Sequence, residues 1–182
     1  METAVINLAS ALADDLDTAF PDLVRSRQNQ IFGGVMRIVR HHADAADITQ
    51  ETFIRAYRAL AGYDNARIEA LKLDGWLWTI AINLCRNSAR RKNPVPSQLP
   101  DQASLEPGPE SAAIASAEAA TWDTRLARLT ATQRSAVVLR HVVGLSYDEI
   151  SQATGRPAGT VKADVHRGIA RLRRILEAEA TQ

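Results

Sequence analysis

Residues 145–176 read LSYDEISQATGRPAGTVKADVHRGIARLRRIL, and few folds can hold them. Gly144 ends the apolar run before them. Ser146, with Glu149 three residues on, is a capping box that opens a new helix. Ile150 and Ala153 give this short helix an inner face. Thr154-Gly155 breaks it, and Pro157 sits where a first helical turn tolerates proline. A longer helix follows, to about Leu176. Short helix, glycine turn and second helix are the parts of a helix-turn-helix.

The second helix has two faces. At a 3.6-residue period, Val161, Val165, Ile169, Leu172 and Leu176 fall together. Ala163, His166, Arg167, Ala170 and Arg174 fall opposite, with Thr160, Lys162 and Arg171 on the flanks. The outward face is basic, and its N-terminal half carries small or hydrogen-bonding side chains. A helix that enters a DNA groove needs small residues for close approach, donors for base edges and cations for phosphates. A basic amphipathic helix alone would read as solvated surface. The capped helix and turn before it point to a duplex.

Total charge hides this, because the net value is only +1. From Arg156 to Arg174 there are six Arg or Lys and one acidic residue, Asp164, while the segment up to Asp22 is acidic. Local basic patches matter more than the total for nucleic acid. The single cysteine, Cys85, excludes an internal disulfide framework and fits a reducing compartment. No apolar run approaches membrane-spanning length, and the N-terminus lacks a basic start, so a cytoplasmic protein without membrane insertion is expected.

The pattern predicts an all-α chain with two small helical domains. Residues 1–17 form an N-terminal extension. Over residues 4–20, Val5, Leu8, Leu12, Leu16 and Phe20 share one helical face, but Asp14, Asp15 and Asp17 crowd its C-terminal end, which the helix dipole disfavours. A weak or mobile helix is expected. The first domain spans residues 18–92. Residues 18–40 look helical, interrupted by Gly33-Gly34. Asp44 to Leu60 is a further helix with an apolar stripe of Phe53, Ile54, Tyr57 and Leu60. Its polar face holds Asp47, Gln50, Glu51 and Arg55. Gly62 to Asn65 is a turn, followed by a loop to Asp74.

The helix from Asp74 to Lys92 carries an inward stripe of Leu77, Ile80, Ala81, Leu84 and Ser88. A second stripe holds Trp76, Thr79, Asn83, Arg86 and Arg90. Aromatic and amide groups can hold an unstacked base, and arginines can follow a backbone. The same residues also suit a core tryptophan and a basic helix C-terminus. Residues 93–111 hold five of the seven prolines and read as a flexible Pro-rich linker. The second domain spans residues 112–182. It opens on an alanine-rich helix, and Thr130 with Gln133 forms another capping box before Val137, Val138, Leu139 and Val142.

No catalytic constellation is visible. His41, His42, His141 and His166 lack metal-ligand spacing to Cys85 or to a carboxylate pair. No phosphate-cradling glycine loop is present. Neither a metal nor a cofactor is expected, and the chain does not read as an enzyme.

Together these segments resemble the bacterial RNA polymerase sigma factors of the extracytoplasmic-function group of the sigma-70 family. Asp44-Ala-Ala-Asp-Ile-Thr-Gln-Glu-Thr-Phe53 looks like the family segment that binds the clamp helices of core RNA polymerase. Trp76-Leu-Trp-Thr-Ile-Ala-Ile-Asn83 resembles the part that reads the minus-ten element as a single strand. Leu129 to Arg140 and Leu145 to Leu172 resemble the part that reads the minus-thirty-five duplex and touches the polymerase flap.

The resemblance implies core-polymerase contacts at Asp44, Asp47, Gln50, Glu51 and Phe53. It implies minus-ten contacts at Tyr63, Trp76, Thr79, Asn83, Arg86 and Arg90. It implies minus-thirty-five contacts at Thr160, Lys162, Ala163, His166, Arg167, Arg171 and Arg174. It further implies promoter DNA as ligand and a separate anti-sigma protein as regulator. The chain departs from the family at Leu129-Thr130, where a Leu-Pro pair is usual. It departs again at Asp164, where a basic residue is common, and its loop from Arg67 to Leu73 is longer. The competing expectation is an autonomous helix-turn-helix regulator whose N-terminal half binds a partner or effector.

Overall fold

The computed structural model describes residues 8–92 and 113–181, and among these every regular element is a helix. Val5 and the Pro-rich segment 93–111 lie outside the described residues.

The expected single N-terminal helix is two helices. Asp15 has an extended backbone and accepts hydrogen bonds from the Thr18 amide at 3.1 Å and the Thr18 hydroxyl at 2.8 Å. It ends α1 (Leu8–Asp14) and caps α2 (Leu16–Val39). The carboxylates that a single helix would hold badly at its C-terminus therefore serve the start of the next, where its dipole favours them. The extension is also packed, contrary to expectation. Leu12 is fully buried, and α1 lies against both α2 and the later α4 (Asn65–Glu69).

Nor does Gly33-Gly34 interrupt α2. A Cβ on Gly34 would come within 2.4 Å of the Trp78 ring and 3.3 Å of Val143. The glycine is there for close approach, not as a breaker. Next comes α3 (His42–Leu60), capped by His41, whose Nδ1 accepts from the Asp44 amide at 3.3 Å. Its inward face is Ala45, Ile48, Thr52, Phe53, Ala56 and Leu60. The expected stripe was wrong at two places, since Ile54 and Tyr57 are 37% and 38% exposed. Small residues misled the pattern. Thr52 is buried because its hydroxyl donates to the Ile48 carbonyl at 2.7 Å.

The expected loop after Gly62 contains a short helix, α4 (Asn65–Glu69), capped by Asp64. The helix α5 (Leu73–Lys92) buries Leu77, Trp78, Ala81, Ile82, Leu84 and Cys85. Ile80 and Ser88, expected inward, are only half-buried. Burial pushes the Cys85 thiol up to about 12. A free thiol near 8.5 ionises roughly a thousand times more at mild alkaline pH. Cys85 is therefore expected to resist a maleimide in the native protein and to react promptly in urea. Equal labelling rates in both would show that α5 opens easily.

In the second half, α6 (Ala113–Ala127) leads to α7 (Ala131–Val137). Both arms of the Thr130–Gln133 capping box are formed. α7 widens into a π-helical turn over Val138–Val143, ended by Gly144 at φ 91°. The helix-turn-helix is α8 (Tyr147–Thr154), Gly155 at φ 65°, and α9 (Ala158–Ala180). Both arms of the Ser146–Glu149 box are formed as well. The hydrogen bonds from Ser146 hold the Glu149 carboxyl below its usual range. Gly168 lets α9 approach α7, because a Cβ there would lie 2.6 Å from the Val137 side chain.

The two halves touch. α5 packs on α8, and α2 packs on the widened turn after α7. Leu139, Leu145, Ile150 and Val161 join the same buried cluster as Leu23, Val35, Leu77 and Trp78. A smaller cluster of Leu126, Leu129, Val137, Val138, Leu172 and Ile175 is built from the second half, with Ile38 of α2 packed against it. Polar contacts line the seam as well. Gln30 donates to the Val143 carbonyl at 3.3 Å, and Arg37 Nε lies 3.3 Å from the Asp123 carboxylate. Two small helical domains were expected, and their apolar faces meet in this shared cluster.

Candidate functional site

Three surfaces hold the residues singled out from the sequence. The first is α9. Thr160, Lys162, His166, Arg167, Arg171 and Arg174 are all exposed, and Ala163 is half-buried beside them. Their inward counterparts are Val161, Asp164, Val165, Gly168, Leu172 and Ile175. The expected inner stripe is thus rotated, since Ile169 is half-buried and Leu176 is 36% exposed. The rotation follows from Gly168, which admits α7 against one side of α9. It also follows from Asp164, which is buried although charged.

Asp164 is only 4% exposed and accepts hydrogen bonds from Arg156 and Arg167, the latter at 2.7 Å. Burial pushes its carboxyl up, but the hydrogen bonds and charges of Arg167 and Arg156 outweigh this and hold it below the ordinary value. The stability it lends is present above the usual carboxylate range and fades as pH falls through the lowered value. Arg156 was not singled out by sequence reading. Its signal was the paired offset to an acidic residue on the next helix.

The second surface is on α5 and the turn before α4. Asn83, Arg86 and Arg90 are exposed, while Trp76 and Thr79 are half-buried. Thr79 spends its hydroxyl on the Gly75 carbonyl at 2.9 Å. Tyr63 lies 6.3 Å from Trp76, ring to ring, and carries the Arg67 guanidinium 3.7 Å above its face. Tyr63, Arg67 and Trp76 thus form an aromatic and cationic corner, suited to stacking a base. Arg67 was missed because the segment read as loop, whereas the Asp64 cap fixes it in α4. Arg86 faces elsewhere. It donates to the Thr154 carbonyl of α8 at 2.9 Å, across the seam.

The third surface is a groove of about 650 Å³ between α2 and α3, lined by Phe20, Val24, Phe32, Gln50, Phe53 and Ile54 among others. Gln50 is exposed where it lines the groove, Phe53 lines it while buried, and Asp47 is exposed on α3 without lining it. Glu51 pairs with Arg55 at 2.7 Å, and Asp44 lies 3.4 Å from His41 Nδ1. Tyr57, on the rim, donates to Asp17 at 2.5 Å and meets Phe20 edge-on. Among the described residues no group of His, Cys, Asp or Glu could hold a metal ion. No described helix is long and apolar enough to cross a membrane.

Known proteins match along both halves. Residues 23–94 match the family model for Sigma-70 region 2, and residues 120–172 match that for Sigma-70 region 4. The RNA polymerase sigma-E factor of Streptomyces avermitilis is 37% identical over 161 residues, covering 87% of this chain and 85% of that one. The ECF RNA polymerase sigma factor SigE of Mycolicibacterium smegmatis is 32% identical over 169 residues. That alignment covers 90% of this chain but 64% of the longer relative. The solved structure of CnrH in complex with the cytosolic domain of CnrY has the same fold, with TM-score 0.67 at 24% identity, over 94% of this chain and 96% of that one. The chain belongs to the sigma-70 family of RNA polymerase sigma factors, in its extracytoplasmic-function group. It is a factor for transcription initiation.

Proposed function

We propose that this sigma factor meets core polymerase through the α2–α3 groove, the minus-ten strand through α5 and the Tyr63 corner, and the minus-thirty-five duplex through α9. The observation that carries the reading is the exposed basic face of α9 on a doubly capped helix-turn-helix. On this chain, Asp44, Asp47, Gln50, Glu51 and Phe53 serve polymerase. Asn83 and Arg90 follow the opened strand, joined by Arg86 once it leaves the Thr154 carbonyl. Lys162, His166, Arg167, Arg171 and Arg174 serve the groove and its phosphates. The chain performs no reaction of its own and acts inside the cell, where polymerase is. CnrH was solved with the cytosolic domain of CnrY, and RpoE of Bartonella quintana with the anti-sigma factor NepR, which supports a separate anti-sigma partner here. Run-off transcription with the purified chain, core enzyme and genomic fragments tests the whole reading. A chain that binds DNA alone but never directs core enzyme would favour an autonomous regulator.

The polymerase surface makes its own prediction. Asp47 is exposed, and the Glu51–Arg55 pair is an exposed helical pair of the kind that adds little to stability. Reversing Asp47 and Glu51 to Lys should leave helicity intact and weaken binding to core polymerase, with a changed salt dependence. Equal affinity across a salt series would remove these residues from the interface.

A further inference from the structure

Asp164 is a charged residue on the buried face of the helix proposed to enter the DNA groove. Its side chain is 6% exposed, with Arg156 30% and Arg167 62% exposed beside it. Arg156 comes from the turn and Arg167 from one helical turn further along α9. Neither guanidinium needs a buried carboxylate for solubility, and a lone buried carboxylate would be costly. The carboxylate and two cations satisfy one another. Arg167 reaches Asp164 Oδ1 through Nη2 alone, which leaves its other donors outward. An arginine held on one side and free on the other loses fewer rotamers when it meets a base edge.

We propose that Asp164 is a positioning residue for duplex recognition, holding Arg167 as a pre-aimed fork toward one base of the minus-thirty-five element. The inference rests on the assignment of α9 to that duplex. Arginine forks best match the two acceptors on the major-groove edge of guanine. The base read through Arg167 is therefore a guanine. Arg156, half-buried in the turn, balances the second carboxylate oxygen and ties the turn to α9.

The test uses holoenzyme assembled from core polymerase and the full chain. It selects from a pool of promoter-length duplexes randomised across the upstream element. Wild type should enrich a defined sequence with one strongly preferred guanine. Asp164→Asn, which keeps shape but not charge, should lose about tenfold of the preference at that one step and keep the others. Arg167→Lys, an exposed change that does not threaten folding, should lose preference at the same step. The double variant should be no worse there than Arg167→Lys alone, because both act through one contact. A purely structural Asp164 would lower binding evenly at every step or only lower the melting temperature, and either result overturns the proposal. So would an Arg167→Lys holoenzyme with unchanged preference, whatever Asp164→Asn does. A wild-type holoenzyme that enriches no upstream sequence would instead remove α9 from duplex recognition and the inference with it.

Discussion

Trp78→Ala should cost about 3–5 kcal/mol of stability, a large share of what a domain this size has. Trp78 is only 1% exposed and lies where Gly34 of α2 and Val143 of the widened turn converge. Removing the indole leaves a cavity that rigid helices on three sides cannot close. Gly34→Val should destabilise by a smaller amount, about 1–3 kcal/mol, because it drives a branched side chain into the same ring. Combining the two changes should cost less than their sum, since the valine fills space the indole vacated. Urea unfolding followed by far-ultraviolet circular dichroism measures all three. Strict additivity would mean that Gly34 and Trp78 are not in contact.

The most legible parts of this chain were those where polar side chains punctuate helices. Ser146–Glu149 and Thr130–Gln133 form the capping boxes their spacing predicts. The glycine turn and the exposed basic face of α9 also followed from spacing alone. What failed to show was burial that does not use large apolar residues. Thr52 and Asp164 are buried because a carbonyl and two guanidiniums satisfy them, and a hydrophobic pattern passes over such residues. Gly33-Gly34 read as a break because sequence cannot tell a glycine needed for φ from one needed for space. Asp15 read as a dipole fault when it is a cap. The site residues were found as types, and their company was not. Arg67 over Tyr63 and Arg156 on Asp164 depend on how the chain returns to itself.

The seam between the halves sets up the second large effect. Promoter elements named for positions ten and thirty-five lie about 25 base pairs apart, roughly 85 Å at 3.4 Å per step. The longest helix among the described residues, α2, has 24 residues and so spans only about 36 Å. On the proposed assignment of α5 to one element and α9 to the other, a molecule whose α5 rests on α8 is too short to serve both, and Arg86 is already occupied by Thr154. That assignment requires the halves to part for promoter binding, and parting costs the contacts of the shared cluster. Val143→Asp should shift this balance. Val143 is half-buried and packs against both clusters, beside Gly34. A carboxylate there lacks a partner on the apolar side, and burying it costs more than separating the halves. Small-angle scattering should show a radius of gyration above the roughly 16 Å of a compact chain this long. Helicity should hold, because each half keeps its own helix faces. Apparent affinity for core polymerase with promoter should rise, since a binding-competent form populated more fully binds more tightly in proportion. A tenfold gain would put the closing energy near 1.4 kcal/mol. If scattering were unchanged, the seam would not be held at Val143. If helicity collapsed instead, the two halves would be one cooperative core, and promoter binding would have to proceed without their separation.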